Sequence, residues 1–380
     1  MPTYTTGVTN FARMTDHEKR AWSMKFWKNA RNMSFYTRLM GKTQDSVIQR
    51  ITELRKSVKG TQAIITLVPD AVGDGVAGDR TLKGNEEQLR SLEDVIRVDQ
   101  LRHAHKNEGR MADQKTIVNF RKEASNTLGY WASRVQDTLA CLTLSGVAYT
   151  KNLDGSANNG SDLPYLEYAA DVAAPTTNRN VRWDVTGSTA ADGDIAIGGT
   201  SAVESTDKIS YNALLGLKRY AQEQYIKPVR GEMGTELFHL VLPPRGIEQL
   251  KKDPTFHAAV RDAMPRSPSN PLFKGFDTIY VDGIMIHNTR YVYNTLGLTS
   301  GVDKWGGSQN VDGYRALFLG AQALAYADLG APYWVEEKDD FENQLSISAG
   351  KIFGFKKPQF FSEHTGEVED FGVITCDFAM

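Results

Sequence analysis

The chain has 380 residues, with 44 Lys plus Arg against 46 Asp plus Glu and a formal net charge of −2. That balance argues against a dedicated nucleic-acid binder, which carries a basic excess or stripe. Hydrophobic residues make up 41%, which excludes wholesale disorder, and the length suggests about two domains or one large elaborated one.

No stretch approaches the ~18–20 apolar residues of a membrane helix. The opening "MPTYTTGVTNFARMTDHEKRAW" lacks an apolar signal core, so no export is expected. Residues 1–60 read as a leading arm with helical patches. Asp16 can cap a helix through Trp22, Phe26 and Trp27. "SFYTRLMG" follows, with Gly41 as a helix stop, and "QDSVIQRITELRK" is a second short amphipathic pattern.

Residues 61–110 read as two extended limbs, Gln62–Val68 and a second within Leu92–His105, around a Gly/Asp-rich excursion. Isolated hairpins are marginal in water, so this one needs a partner surface. Residues 112–145 carry the strongest period. Ile117, Phe120, Ala124, Leu128, Trp131, Val135, Leu139 and Leu142 fall three or four apart, which is one helix face. Such a helix spans on the order of 50 Å, the length of a strut, and Gly146 can end it.

Residues 150–206 are rich in Gly, Ser, Ala, Asn and Thr and read as a surface insertion with short strands. A helix from about Ser210 to Tyr225 follows, with Ser210 as N-cap, then strand "LFHLVLP" and helices near "GIEQLKKD" and from Pro254. Asp282-Gly283 between apolar runs is a hairpin turn. "YRALFLGAQALAYADLG" reads as helical or buried, and the remainder is β-rich. Helices and strands mix without a βαβ rhythm, which predicts α+β rather than a doubly wound sheet. No internal repeat is found.

Motifs with catalytic spelling fail on context. Gly73-Asp74-Gly75-Val76-Ala77-Gly78 follows a strand and matches a dinucleotide fingerprint. No helical period follows it, and Asp74 and Asp79 would repel phosphate. Gly41-Lys42-Thr43 lacks the first P-loop glycine, since position 36 is tyrosine. Asp370-Phe371-Gly372 stands without the other kinase motifs. His103 and His105, with Asp99, alternate on one strand face and read as a solvated face rather than a metal site. Glu86-Glu87 and Glu336-Glu337 read as solvated surface. Cys141 and Cys376 read as buried small apolar residues in a reducing compartment. No catalytic, cofactor-binding or metal-ligating residue is assigned.

In order along the chain, several blocks resemble the major capsid proteins of tailed, short-tailed-type bacteriophages with the Hong Kong 97-type capsid fold. They are "GVAGDRTLKGNEEQL" with "VIRVDQLRHAHK", "FRKEASNTLGYWASRVQDTLACLTLSG", "LVLPPRGIEQLKKDPTF", "NPLFKGFDTIYVDGIMIHNTRYVY", "YRALFLGAQALAYADLG" and "KIFGFKKPQFFSEHTGEVEDFGVITCDFAM". The resemblance implies an N-terminal arm at 1–60 and an extended β-hairpin loop at 61–110. It implies a peripheral domain with a long spine helix at 111–149 and 341–380, and an axial domain at 150–340 with the insertion near 150–206.

The same resemblance implies a self-assembling shell protein of pentamers and hexamers around double-stranded DNA. Its partners would be copies of itself, a scaffolding protein, a portal, a decoration protein and the packaged DNA by non-specific contact. Its place would be the virion capsid, after assembly in the bacterial cytoplasm. Subunit-interface candidates are Gly73, Gly75, Gly78, Lys83, Glu86 and Glu87 on the loop, and Trp22 and Trp27 on the arm. Lys83 lies where some capsids of this fold carry a crosslinking lysine, although fold analogy does not transfer chemistry. A cellular nanocompartment shell of the same fold and, from another class, a nucleotide-binding enzyme built on Gly73–Gly78 are the alternatives. A hairpin that cannot bury its own surface, a strut-length helix and an unanchored arm all require other chains.

Overall fold

The computed structural model describes residues 23–24, 30, 34–52, 62–67, 75–84, 86, 92–115, 119–187, 193–231, 234–263, 278–362 and 365–380. The expected helix through Trp22 and Trp27, and Gly73, Glu87 and Ile117, lie outside them.

The helix expected over 112–145 is Phe120–Ser145, preceded by a separate short helix at Arg110–Lys115. Asn119 caps it by accepting from the Lys122 N–H, and the left-handed Gly146 closes it. Gly146 N–H donates to Thr143 O and Val147 N–H to Leu142 O, a Schellman stop. The helix has 26 residues, so it runs for about 39 Å. Its first half buries one stripe, Ala124, Leu128 and Ala132, against Trp334, Ile347 and Ala349. From Leu139 to Ser145 every residue is buried. A helix apolar all round lies inside a core.

Two sheets flank this helix. The smaller has the order Met40–Gly41, Ile48–Ile51, Leu324–Asp339, Gln344–Lys356, Asp99–Lys106. Its centre is the long antiparallel hairpin of Leu324–Asp339 and Gln344–Lys356. The larger runs Thr278–Val281, Ile284–Asn288, Glu236–Leu242, Gly313–Leu319, Val373–Ala379, Asn180–Asp184, Asp194–Ile197, with Val229–Arg230 added beside Glu236.

Both faces of the larger sheet are covered. Along Gly313–Leu319, Tyr314, Ala316 and Phe318 face one core, built with Leu214 and Leu217 of helix Tyr211–Glu223 and Ile247 and Leu250 of helix Pro244–Lys252. Leu317 and Leu319 face the other, built with Leu139, Leu142 and Leu144 of the long helix. A strand buried on both sides reads as a continuous apolar run, which is why "YRALFLG" has no alternation.

The chain crosses between the sheets more often than the division at 340/341 allows. Leu324–Asp339, expected with 150–340, belongs to the smaller sheet, and Val373–Ala379, expected with the long helix's domain, is a middle strand of the larger one. "VIQRI" is also not helical. Ile48–Ile51 is a strand because it pairs in parallel with Leu324–Ala327. Gly41 is a strand residue rather than a helix stop, and a Cβ there would lie 2.0 Å from Ser46 Oγ. Local expectations hold elsewhere. Ser210 accepts from the Ala213 N–H as N-cap, and Asp282 and Gly283 have φ of 45° and 78°, the signs of a type I′ turn.

One buried ion pair joins helix to sheet. Arg315 Nε and Nη2 donate to the two carboxylate oxygens of Asp377 at 2.8 and 3.0 Å, across neighbouring strands. Its third nitrogen, Nη1, donates to Ser145 O at the end of the long helix, at 2.9 Å. Burial opposes the arginine's charge, and Asp377 more than offsets it, so its pKa is raised. Asp377→Asn or Arg315→Met alone should cost about 3–5 kcal/mol in denaturant unfolding, because each leaves a buried charge unpaired. The double apolar variant should recover much of that loss.

Candidate assembly surface

The described residues hold no cluster of His, Cys, Asp and Glu suited to a metal. His103 instead stacks on Trp131 of the long helix, with centroids 4.9 Å apart and planes 26° apart. Burial, then His105 and Arg134, lower its pKa, and the residue stays exposed on the strand face. Asp99 accepts from the backbone N–H of Gln100 and Glu167. Asp370 of the Asp-Phe-Gly triplet is fully buried and takes the Lys357 ammonium at 2.6 Å and Gln359 Nε2 at 2.8 Å. Cys141 and Cys376 are buried and free.

The two limbs form one antiparallel ladder, Gln62–Leu67 against Leu92–Arg97, and the chain then continues through Val98 into Asp99–Lys106. Ala63, Ile65 and Ile96 pack on Ile51, Ala325, Ala327 and Phe360, which fixes the hairpin's root to the smaller sheet. Lys356 fastens it further, donating to Asp94 Oδ1 and to Val95 O at 2.5 and 2.8 Å. Since side chains alternate along a strand, the other face points outward. There Ile64 and Val95 sit directly opposite one another, 49% and 38% exposed. This places an apolar cross-strand pair on the outward face of the ladder.

Beyond the ladder, residues 75–84 and 86 form no helix or strand and, apart from half-buried Val76, are exposed. No helix begins at Gly78, so the dinucleotide reading loses the N-terminus that would hold pyrophosphate. Gly75 and Gly78 have φ of 74° and 68°, and a Cβ at either would meet nothing within 4 Å. These glycines serve backbone conformation, not close packing within the subunit. Lys83 and Leu82 are exposed, and Glu86 accepts from the Gly84 N–H at 2.6 Å. The structure thus brings Gly75, Gly78, Lys83 and Glu86 onto one solvent-facing tip.

Two features escaped the sequence reading. The first is the tip of the long hairpin. Asp340, Phe341 and Glu342 all have positive φ (51°, 49° and 69°), a conformation costly for side-chain-bearing residues. Phe341 is fully exposed there. The turn is held by Asn343 Nδ2 donating to Asp340 at 3.2 Å and by Lys338 pairing with Glu342 at 3.1 Å. Its signal was "DDFENQ", a polar turn cluster between two β runs.

The second is the root of the arm, which is anchored rather than free. Asp137, buried midway along the long helix, accepts from Ser34 Oγ at 2.6 Å, Phe35 N–H at 2.9 Å and Tyr36 N–H at 3.1 Å. Burial raises its pKa, against the opposing effect of those three donors. Hydrogen bonds to a charged group are each worth about 1.5–3 kcal/mol, so this is a firm attachment.

Residues 10–380 match the phage capsid protein family. The major capsid protein of Pseudomonas phage KPP25 is 48% identical over 367 residues, 96% of each chain. The capsid of Ralstonia phage GP4 superposes with a TM-score of 0.71 at 25% identity, over 91% of this chain and 90% of that one. The cyanophage Pam1 capsid gives 0.68 at 18% identity over 100% and 99%, a likeness of fold. The α+β, Hong Kong 97-type architecture expected from the sequence is the one observed. The chain belongs to the phage capsid protein family and is a structural protein of the virion's icosahedral capsid.

Proposed function

We propose that this chain closes head-to-tail into pentamers and hexamers whose lattice encloses double-stranded DNA, with the hairpin loop laid over an adjacent subunit. The observation that carries this is the outward face of the hairpin: an exposed Ile64–Val95 pair below a tip whose glycines meet nothing in their own chain. In this reading, the long helix and the smaller sheet form the peripheral part and the larger sheet the axial part. The arm would leave its Asp137 anchor to reach neighbours, with Trp22 and Trp27 among its contacts. Gly73, Gly75, Gly78, Lys83, Glu86 and Glu87 would lie at or near the loop's contact.

Scaffolding, portal and decoration proteins are the further partners, and assembly takes place in the host cytoplasm. The subunit contributes surfaces, not catalysis. Near-neutral charge suits an inner wall that holds packaged DNA only loosely.

Electron microscopy of the purified chain with its scaffolding partner tests the reading. Rings of five and six and closed shells support it; a well-folded monomer at high concentration counts against it. Replacing Gly75 and Gly78 by valine forces side chains into left-handed backbone at about 1–2 kcal/mol each. Because a Cβ at Gly75 or Gly78 meets nothing within 4 Å and the segment is free to relax locally, circular dichroism and melting should stay near wild type while shell yield falls. Phe341→Ser should likewise leave the subunit folded and lower shell yield or heat resistance. On a denaturing gel, mature shells should give monomer bands only; a ladder abolished by Lys83→Arg would instead establish a crosslink.

A further inference from the structure

The arm root is clamped from two sides, and the second side contains a histidine pair that the assembly reading leaves unused. His239 and His287 lie on adjacent parallel strands, with His239 opposite Met285 and His287 opposite Val241. His239 Nδ1 and His287 Nε2 are 2.9 Å apart, a direct N–H···N hydrogen bond, with ring planes 6° from parallel. His287 is buried. The Phe35 ring rests on it edge-on, with centroids 5.6 Å apart. Phe35 is the same residue whose N–H Asp137 holds from the other side.

We propose that His239, His287 and Phe35 form an acid-sensitive latch on the arm root, closed when the pair is uncharged and opened when both rings are imidazolium. In the neutral pair one ring's N–H donates to the bare nitrogen of the other. Two added protons, one per ring, put an N–H on each facing nitrogen, so that two cations stand at hydrogen-bond distance with no acceptor between them. Neither backbone can retreat, because the strand of His239 is paired to Ile284–Asn288 and Gly313–Leu319 and the strand of His287 to Thr278–Val281 and Glu236–Leu242. The separation must come from the side chains, and Phe35 stands against the His287 ring.

Other groups around the root have defined places. Asp137 faces Ser34, Phe35 and Tyr36 from the long helix, and Arg38 acts on that carboxylate. Tyr36 is hydrogen-bonded to Cys141 and donates to Tyr291 O at 3.1 Å. Arg290 lies over the Tyr291 ring at 5.7 Å.

The direction of the titrations agrees. Burial first, and then His287, lower the His239 pKa to about 4, and burial lowers that of His287. A histidine depressed in the folded state contributes stability that is complete above its unfolded value near 6.5 and is lost as pH falls through the folded value. Opening therefore belongs to the range between about pH 6.5 and pH 4. Asp137 titrates upward from the usual carboxylate range, so its change needs separating from that of the pair.

Hydrogen exchange on the full-length chain, corrected for the intrinsic pH dependence of exchange, reads the latch directly. Protection of the Phe35 and Tyr36 amides should fall about ten-fold or more between about pH 6.5 and 4.5, while Leu139–Leu144 in the helix core stays protected. The His239→Gln/His287→Gln double variant keeps Asp137 and should lose most of that fall. An equal fall in the double variant would assign it to Asp137 and overturn the latch, as would flat protection in the wild type.

Should the double variant fail to fold, proton resonances of the two imidazoles and Phe35 in the wild-type chain replace it. The Phe35 ring signals should move with the histidine titration; histidines titrating near pH 6.5 with Phe35 unmoved would refute the proposal. The latch stands on the fold alone. Only its consequence for neighbours rests on the proposed reach of the arm, so shells assembling normally with a pH-insensitive root would refute the latch and leave that reading intact.

Discussion

The long helix and the larger sheet meet at one buried contact, between Arg315, Asp377 and the last carbonyl of that helix. The arginine sits in the middle strand of a sheet buried on both faces, where an ion without a partner is not tolerated. Asp377 on the next strand supplies the counter-charge, and Ser145 O supplies an acceptor that the helix end leaves unused. One guanidinium therefore bridges two neighbouring strands and the end of the helix. Two cores then follow, one on each face of Gly313–Leu319.

From that junction the long helix runs out to the smaller sheet, and the hairpin root, the Phe341 turn and the Asp137 anchor are all mounted on that frame. The hairpin root is packed and ion-paired, so its apolar outer face and glycine tip are presented by a rigid base. Phe341 is presented by a turn held in left-handed backbone. The arm starts from a fixed point on the helix at Asp137. A subunit that must meet several neighbours at set angles needs such fixed bases, because ordering a loose segment on contact costs entropy.

Local chemistry was readable. Gly146, Ser210 and Asp282-Gly283 decide their caps and turns through hydrogen bonds to residues a few positions away, so their spelling suffices. The helix stripe and the two hairpin limbs were readable for the same reason. The lack of a helical period after the loop's glycines was readable too, and no helix begins at Gly78.

Long-range choices were not readable. Ile48–Ile51 fits a helical period as well as a strand, and only pairing with Leu324–Ala327 selects the strand. Leu324–Asp328 and Val373–Ala379 are runs whose alternation is erased by burial on both faces, so their sheet membership could not be read from the sequence. Asp137 looks like one acid on a helix until Ser34, about a hundred residues earlier, arrives beside it. By itself the sequence determined the class of fold, the strut and the two hairpin limbs, because period, caps and turns act between near neighbours. Tertiary structure alone decided which strands share a sheet, where the arm is tied and which rings stand in water, because those depend on partners the chain brings together only on folding.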